Sequence, residues 1–139
     1  MAKLACDVMT FDPACCSPET TLDQVAKMMK ENDCGEIPIV DGDGRPIGVV
    51  TDRDIICRVV ADGLNPLLHT ADSCMSSPVL TVPADTPLDQ VVSLMQDRQV
   101  RRVPVVDEGG CCAGIISQAD VAAFGPARMT AELVSQISQ

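Results

Sequence analysis

The 139-residue chain contains no tryptophan, no tyrosine and only two phenylalanines. Its core must therefore be filled by aliphatic and sulfur-containing side chains, which suits closely packed layers of helix and sheet. Proteins that hold single-stranded nucleic acid stack the bases on aromatic side chains, and this chain has almost none. Positive charge is also scarce, because 10 Lys and Arg stand against 20 Asp and Glu, a net charge of −10. Such a surface repels a phosphate backbone, so the composition argues against nucleic acid as a partner.

Long apolar runs are missing as well. No stretch approaches the roughly 20 apolar residues that a helix needs to span a bilayer. Asp7 and Asp12 interrupt the N-terminal residues before a signal-type apolar run can form. We therefore expect a cytoplasmic protein with no membrane partner.

The eight cysteines include no CxxC pair, and His69, in a predicted linker, is the one histidine. Zinc sites usually carry two ligands two to four residues apart, and histidine-dependent triads need that histidine beside a nucleophile. The cysteines are therefore interpreted as small hydrophobic residues of a reducing cytosol. We expect no catalytic residue, no bound metal and no required cofactor. A cysteine-based redox or metal sensor is the alternative interpretation.

The sequence matches itself when it is shifted by 66 residues. TLDQVAKMMK (21–30) falls on PLDQVVSLMQ (87–96), EIPIVD (36–41) on RVPVVD (102–107), and GVVTDRDI (48–55) on GIISQADV (114–121). A duplicated unit of this kind usually cannot bury its apolar face alone. The predicted domains are repeat 1 at 1–64, a linker at 65–74, repeat 2 at 75–125 and a C-terminal helical tail at 126–139.

Each copy predicts the order β-α-β-β-α, so the fold class is α/β (α+β). A short apolar strand at about 14–17 or 79–82 precedes an amphipathic helix, whose apolar residues recur at the i, i+3, i+4, i+7 spacing. They are Leu22, Val25, Ala26 and Met29, and Leu88, Val91, Val92 and Met95. Thr20 and Thr86 stand three residues before an Asp and predict a capping box at the helix start. Two strands joined by a Gly/Asp-rich turn follow, and the last helix begins after Thr51 or Ser117.

The two octets, 48–55 and 114–121, each carry a hydroxyl and a carboxylate three residues apart. The spacing alone is that of a capping box. A helix N-terminus also attracts phosphate, and a carboxylate can accept the two hydrogen bonds of a ribose diol. Gly48 and Gly114 would leave room beside the strands. The octets therefore predict caps, ribose-phosphate contacts, or both in turn.

These motifs together resemble a tandem pair of CBS domains, or Bateman module, of the stand-alone bacterial type. The resemblance rests on DVMT (7–10) and SCMS (73–76), the two LDQV helices, PIVD and PVVD, and the two octets. It implies two three-stranded sheets packed about a pseudo-twofold axis, with a cleft between the repeats. Members commonly bind adenosine-containing ligands there and pair into homodimers. The ligand expected here is AMP, ADP or ATP, ahead of S-adenosylmethionine or NAD.

The same resemblance assigns roles to residues of this chain. Thr51 and Ser117 would contact phosphate or ribose, and Asp54 and Asp120 the ribose hydroxyls. The residues before each strand proline would form the wall of the site; they are Gly35, Glu36 and Ile37 in repeat 1 and Arg101, Arg102 and Val103 in repeat 2. The alternative for Arg101 and Arg102 is a solvated strand end.

The two sites are expected to differ. Arg53, which has Ala119 as its counterpart, favours the first octet as the clearer site, whereas the arginine pair stands only in repeat 2. The sequence thus predicts a regulatory sensor that binds an adenosine ligand, signals to an unknown downstream protein by a change of shape, and works as a homodimer. A ligand-free stress or interaction protein whose octets only cap helices is the other alternative.

Overall fold

A computed structural model describes residues 3–77 and 79–124, so the predicted helical tail at 126–139 lies outside the described residues. The elements are, in chain order, α1 (Ala5–Val8), β1 (Thr10–Phe11), α2 (Leu22–Glu31), β2 (Glu36–Val40), β3 (Pro46–Thr51), α3 (Asp52–Ile55) continued by a π turn (Ile56–Val60), 3-10 turns at Pro66–Leu68 and Ala71–Ser73, β4 (Val82–Pro83), α4 (Leu88–Arg98), β5 (Arg102–Val106), β6 (Cys112–Ser117) and α5 (Gln118–Phe124). The mixed α/β class with two repeats is confirmed, and the complete order β-α-β-β-α is present in the second repeat. Within the described residues, no helix has the length and apolar character that crossing a membrane requires.

The chain divides into two compact units that do not follow the boundaries expected from the repeat. The first-repeat unit is Pro13–Val79, and the second-repeat unit joins the chain up to Asp12 to the chain from Leu80 onward. The residues that lead into each repeat therefore belong to the unit of the other repeat. We call residues 3–12 and 69–77 the lead-in segments.

The two long helices lie where the apolar spacing predicts them. α2 buries Leu22, Val25 and Met29, and α4 buries the corresponding apolar positions and Val92. Ala26, predicted on the inner face of α2, is exposed instead. Burying these aliphatic side chains is the main stabilising contribution of each helix, at about 1.5–3 kcal/mol for a fully buried one.

The capping boxes predicted at Thr20 and Thr86 are wrong. α2 begins after Thr21 and α4 after Pro87, and neither start has a side-chain cap. Lead-in carbonyls take that role: the Leu22 N–H donates to His69 O at 3.0 Å, and the Leu88 N–H donates to Lys3 O at 2.8 Å. Because a backbone carbonyl already satisfies the first N–H of each helix, that donor needs no hydroxyl.

The hairpins predicted from PIVD and PVVD form as β2–β3 and β5–β6. In the second-repeat unit β1 and β4 extend the hairpin to a four-stranded sheet, in the order β1-β6-β5-β4, rather than the three strands that the resemblance implies. In the first-repeat unit the same outer positions are single bridges, Cys16 to Ile39 and Ser76 to Val49. The strand expected at 14–17 is thus reduced to Cys16, and the one at 79–82 to Val82–Pro83.

The octet glycines are packed against methionines of the lead-in segments. A Cβ at Gly48 would lie 2.6 Å from Met75 Sδ, and a Cβ at Gly114 would lie 2.5 Å from Met9 Sδ. The expectation that these glycines leave open room beside the strands is therefore wrong, because a thioether fills that room.

Candidate functional site

The first octet ends β3 and begins α3 with a reciprocal pair of hydrogen bonds. The Thr51 N–H donates to Asp54 Oδ2 at 3.0 Å, and the Asp54 N–H donates to Thr51 Oγ1 at 3.0 Å. Thr51 has an extended backbone, as an N-cap requires, so the β-branched residue that ends the strand also caps the helix. Both side chains are half-buried.

The second octet has the same geometry. The Ser117 N–H donates to Asp120 Oδ2 at 2.9 Å, and the Asp120 N–H donates to Ser117 Oγ at 3.1 Å. The capping interpretation of both octets is therefore confirmed. Each cap uses one oxygen of its carboxylate, and among the described residues no hydrogen bond to the other oxygen, Oδ1 of Asp54 or Asp120, is present. A hydroxyl proton of Thr51 or Ser117 is likewise left to donate.

The backbone donors at the start of α3 are already occupied. The Asp52 N–H donates to Gly35 O at 2.8 Å, and the Arg53 N–H donates to Asp52 Oδ1 at 2.8 Å. With Asp54 N held by Thr51, the first three N–H groups of the helix have partners. A phosphate at this helix start would have to displace them.

The strand residues before each proline stand beside the octet hydroxyls. Glu36 is the direct cross-strand partner of Thr51, and Arg102 is that of Ser117. Directly opposed residues of an antiparallel pair share a sheet face, with Cβ atoms about 4.5–5.5 Å apart. The carbonyls of Gly35 and Arg101 accept hydrogen bonds from the helix starts of the octets. The Asp52 N–H donates to Gly35 O, and the Gln118 N–H donates to Arg101 O, both at 2.8 Å.

Ile37 and Val103 differ from the other predicted wall residues. Both side chains are fully buried in the hydrophobic core. A ligand could reach them only through their main chain. Arg53 and Arg101, by contrast, are exposed.

Arg58 and Cys74 adjoin the first octet and were not anticipated from the sequence. Arg58 Nη1 donates to Cys74 O at 3.2 Å, which links the π turn after α3 to a lead-in segment. Burial raises the pKa of the Cys74 thiol, the Asp54 carboxylate raises it further, and the Arg58 guanidinium lowers it. The sequence carries no local signal for this contact, because Arg58 and Cys74 lie 16 residues apart in different elements.

All eight cysteines are free thiols, but their environments vary. Cys16 and Cys74 are buried, as expected, whereas Cys57 is exposed and the other five are half-buried. Burial also raises the pKa of the Cys16 thiol, against the opposing effect of a hydrogen bond with Thr20. Across 3–77 and 79–124, no three Cys, His, Asp or Glu side chains are grouped as metal ligands would be. The expectation that the protein needs no metal stays a prediction.

Comparison with known proteins places the repeats in one family. Residues 5–61 and 71–126 each match the CBS domain. Hypoxic response protein 1 of Mycobacterium tuberculosis is 35% identical over 131 residues, covering 94% of this chain and 91% of that protein. An uncharacterized protein of Methanopyrus kandleri is 38% identical over 110 residues, covering 79% of this chain and 56% of that protein. The chain thus spans little more than half the length of this second relative.

Two crystal structures share the fold. Hypoxic Response Protein I, with two coordinated zinc ions, has a TM-score of 0.80 at 35% identity and covers 89% of this chain and 100% of its own. The CBS domain pair of protein MJ0100, in complex with 5′-methylthioadenosine and S-adenosyl-L-methionine, has a TM-score of 0.80 at 26% identity and covers 89% and 96%. The resemblance drawn from the motifs is therefore confirmed, and the chain belongs to the CBS-domain family as a tandem pair of CBS domains.

Proposed function

We propose that this CBS pair is a regulatory sensor that binds adenosine-containing ligands at its two octets. The observation that carries the proposal is the hydroxyl–carboxylate pair, built identically in both repeats, with one carboxylate oxygen left for a ligand in each. A ribose diol offers two adjacent O–H donors to such an oxygen. The adenosine compounds bound by the CBS pair of protein MJ0100 support the same chemistry.

Ligand binding at an octet would act directly on a helix start. Asp54 and Asp120 hold their caps through the same carboxylates that a ribose would contact. A ribose that draws the carboxylate away weakens the cap, whereas one that uses only Oδ1 strengthens it by fixing the side chain. Either effect changes the relative stability of the capped and uncapped forms of α3 or α5. A ligand-dependent shift between two such forms is what a signal to a downstream protein requires.

The octet hydroxyls and the wall residues together set which adenosine ligand fits. Thr51 and Ser117 would donate to a ribose or phosphate oxygen, and Arg101 and Arg102 would hold phosphate through their planar guanidinium groups. AMP, ADP and ATP are the preferred candidates, ahead of S-adenosylmethionine and NAD. No bond-making chemistry, resident metal or cofactor is part of the proposal.

The test is isothermal titration calorimetry of the reduced full chain with AMP, ATP, adenosine and S-adenosylmethionine. Asp54→Ala and Asp120→Ala should each remove binding at one octet. Asp7→Ala is the matched control, because Asp7 Oδ2 accepts from Leu4 N at 2.8 Å, the same carboxylate bond to the residue before a helix, outside both octets. Unchanged affinities in both octet variants would favour the ligand-free alternative, in which the octets are caps only.

We also propose that the protein works as a homodimer. Four aliphatic side chains close together in sequence are each more than half exposed, namely Ile56, Val60, Leu67 and Leu68. Contiguous exposed apolar surface commonly marks protein interfaces, so these residues are the proposed dimer contact. The mass in solution by light scattering should be that of two chains for the wild type and of one for Val60→Asp/Leu68→Asp. Phe11→Asp, at another exposed apolar position, should leave the dimer intact.

A reducing, cytoplasmic location completes the proposal. Its support is the set of eight free thiols, since disulfides form and persist in oxidising compartments. The zinc ions in Hypoxic Response Protein I favour the metal-sensor alternative as the second candidate function. Its test is the chelation experiment in the Discussion.

A further inference from the structure

We propose that the two octets take different classes of adenosine ligand. The second-repeat octet takes a ligand whose 5′ substituent is a phosphate, and the first-repeat octet takes one whose 5′ substituent is positively charged. The inference rests on the proposed function, because it assigns ligand classes to those same two sites.

The first observation is the residue that stands across the strand from each octet hydroxyl. In the first repeat it is Glu36, opposite Thr51, and in the second it is Arg102, opposite Ser117. Both side chains are half-buried and share a sheet face with the hydroxyl beside them. The equivalent place therefore carries a negative charge in one site and a positive charge in the other.

The second observation is the residue that follows the hydroxyl. Asp52 Oδ1 accepts from the Arg53 N–H at 2.8 Å, which holds that carboxylate over the start of α3. In the second repeat the position of Asp52 is occupied by the uncharged Gln118. A phosphate that approached the first octet would meet a carboxylate where the second octet has a neutral amide.

The charges around the two octets are opposite in sign as a result. Glu36, Asp52 and Asp54 outweigh Arg53 and Arg58 for a net −1, whereas Arg101 and Arg102 outweigh Asp120 for a net +1. Arg58 is counted because its guanidinium keeps its charge while it donates to Cys74 O at 3.2 Å. A phosphate monoester adds −1.5 to −2 at neutral pH. Unlike charges attract and like charges repel at contact distance, so the opposite signs favour a different ligand charge at each octet.

AMP and S-adenosylmethionine are matched probes, because they share adenosine and differ at the 5′ position, phosphate against sulfonium. Calorimetry of the full chain should show one AMP site and one S-adenosylmethionine site. Asp120→Ala should weaken AMP at least tenfold and leave S-adenosylmethionine unchanged. Asp54→Ala should do the reverse.

Charge exchange provides the stronger test. Glu36→Arg with Asp52→Gln should create a second AMP site, raising the AMP stoichiometry from one to two per chain. Arg102→Glu should weaken AMP binding at least tenfold. The conservative Arg102→Lys should keep most of the wild-type affinity for AMP. Thermal unfolding of each variant verifies that it is folded.

The wild type alone supplies a test that needs no substitution. Raising the salt concentration from 0.05 to about 0.5 M should weaken both charged ligands, since partly exposed charges are screened over about 10 Å at 0.1 M. Adenosine should be insensitive to salt.

The outcomes separate the two proposals. AMP bound equally at both octets, with no response to charge exchange, would overturn the division of ligands and leave the sensor function standing. Failure of every adenosine probe to bind, or binding that ignores both Asp54→Ala and Asp120→Ala, would overturn the sensor function and this inference together.

Discussion

Met75 packs directly on Gly48, and Met9 packs on Gly114 in the same manner. A Cβ at either glycine would lie 2.6 or 2.5 Å from the methionine sulfur and closer than 3 Å to its Cγ. Both methionines belong to lead-in segments, so each octet strand is held by residues that precede the other repeat in the chain. The glycine of the octet motif is therefore explained by packing, and not by room for a ligand.

Gly48→Ala is expected to destabilise the protein by about 1–3 kcal/mol, the usual cost of overpacking a close contact. Chemical denaturation followed by circular dichroism measures the change. Gly42→Ala is the matched control, because nothing lies within 4 Å of a Cβ there, and its effect should stay within about 0.5 kcal/mol. Met75→Ala in the Gly48→Ala background should recover part of the loss. A loss equal in both glycine variants would contradict the packing explanation.

Thr51→Val is expected to cost about 0.5–2 kcal/mol, because it removes the oxygen that accepts from Asp54 N. Thr51→Ser keeps that oxygen and should be close to neutral. Thr86→Val is the control at the start of α4, which has no side-chain cap. Because the Thr86 hydroxyl caps nothing, this variant should lose less than about 0.5 kcal/mol of stability. Equal losses at Thr51 and Thr86 would mean that the octet hydroxyl is not a cap.

The long helices, the two hairpins and the octet caps were predictable from sequence. Periodicity and turn residues are local signals, and α2, β2–β3 and the Thr51–Asp54 cap each lie within a short stretch of chain. The spacing of Thr86 and Asp89 is just as local but misleads, because the Lys3 carbonyl occupies the helix start from 85 residues away.

The lead-in segments could not be predicted, for a related reason. β1 is two exposed residues long, so it has no hydrophobic alternation, and its partner β6 is more than 100 residues distant. The surroundings of Arg58 and Cys74 also depend on this long-range packing. The site residues carried over from the family resemblance remain predictions until ligand binding is measured.

Two residues after the long helices adopt the left-handed conformation at equivalent positions of the repeat, Asp33 with φ 50° and Gln99 with φ 55°. Asp33→Gly should stabilise the protein by up to about 1 kcal/mol, because glycine has no Cβ to strain there. Gln99→Gly should gain less, since its side-chain bond to Gln96 O at 3.0 Å is lost. Thermal unfolding measures both, and Asp33→Ala, which should not stabilise, is the control.

The raised pKa values of Cys16 and Cys74 predict a stability that falls in alkali. In the unfolded chain these thiols ionise at about pH 9, whereas burial keeps them protonated in the fold. The stabilisation that these two thiols give the fold is therefore complete below pH 9. It is lost as the pH rises through their higher pKa values in the folded protein. Thermal unfolding from pH 7 to 10.5 should show this decline, and a Cys16→Val/Cys74→Ala variant should show less of it. Reaction with a thiol reagent at pH 8 should be fastest at the exposed Cys57.

Removal of metal and oxidant should leave the protein folded. We expect the same unfolding temperature and the same mass in solution with excess reductant and EDTA, because all eight thiols are free and no ligand cluster is formed by the described residues. Untreated protein analysed for zinc by mass spectrometry is the control. A lower unfolding temperature after chelation would move the function toward metal sensing.

The order of synthesis affects the two units differently. Every residue of Pro13–Val79 has been made once the ribosome passes residue 79, so that unit can close while translation continues. Thr10 must wait for Ile115, and at about 5–20 residues per second this delay lasts roughly 5–20 s. Over the part of that interval that follows the synthesis of residue 79, β1 is a nascent strand without its partner, joined to a unit that can already fold. The lead-in segment 3–12 is thus made before Pro13–Val79 but can reach its native position only after it.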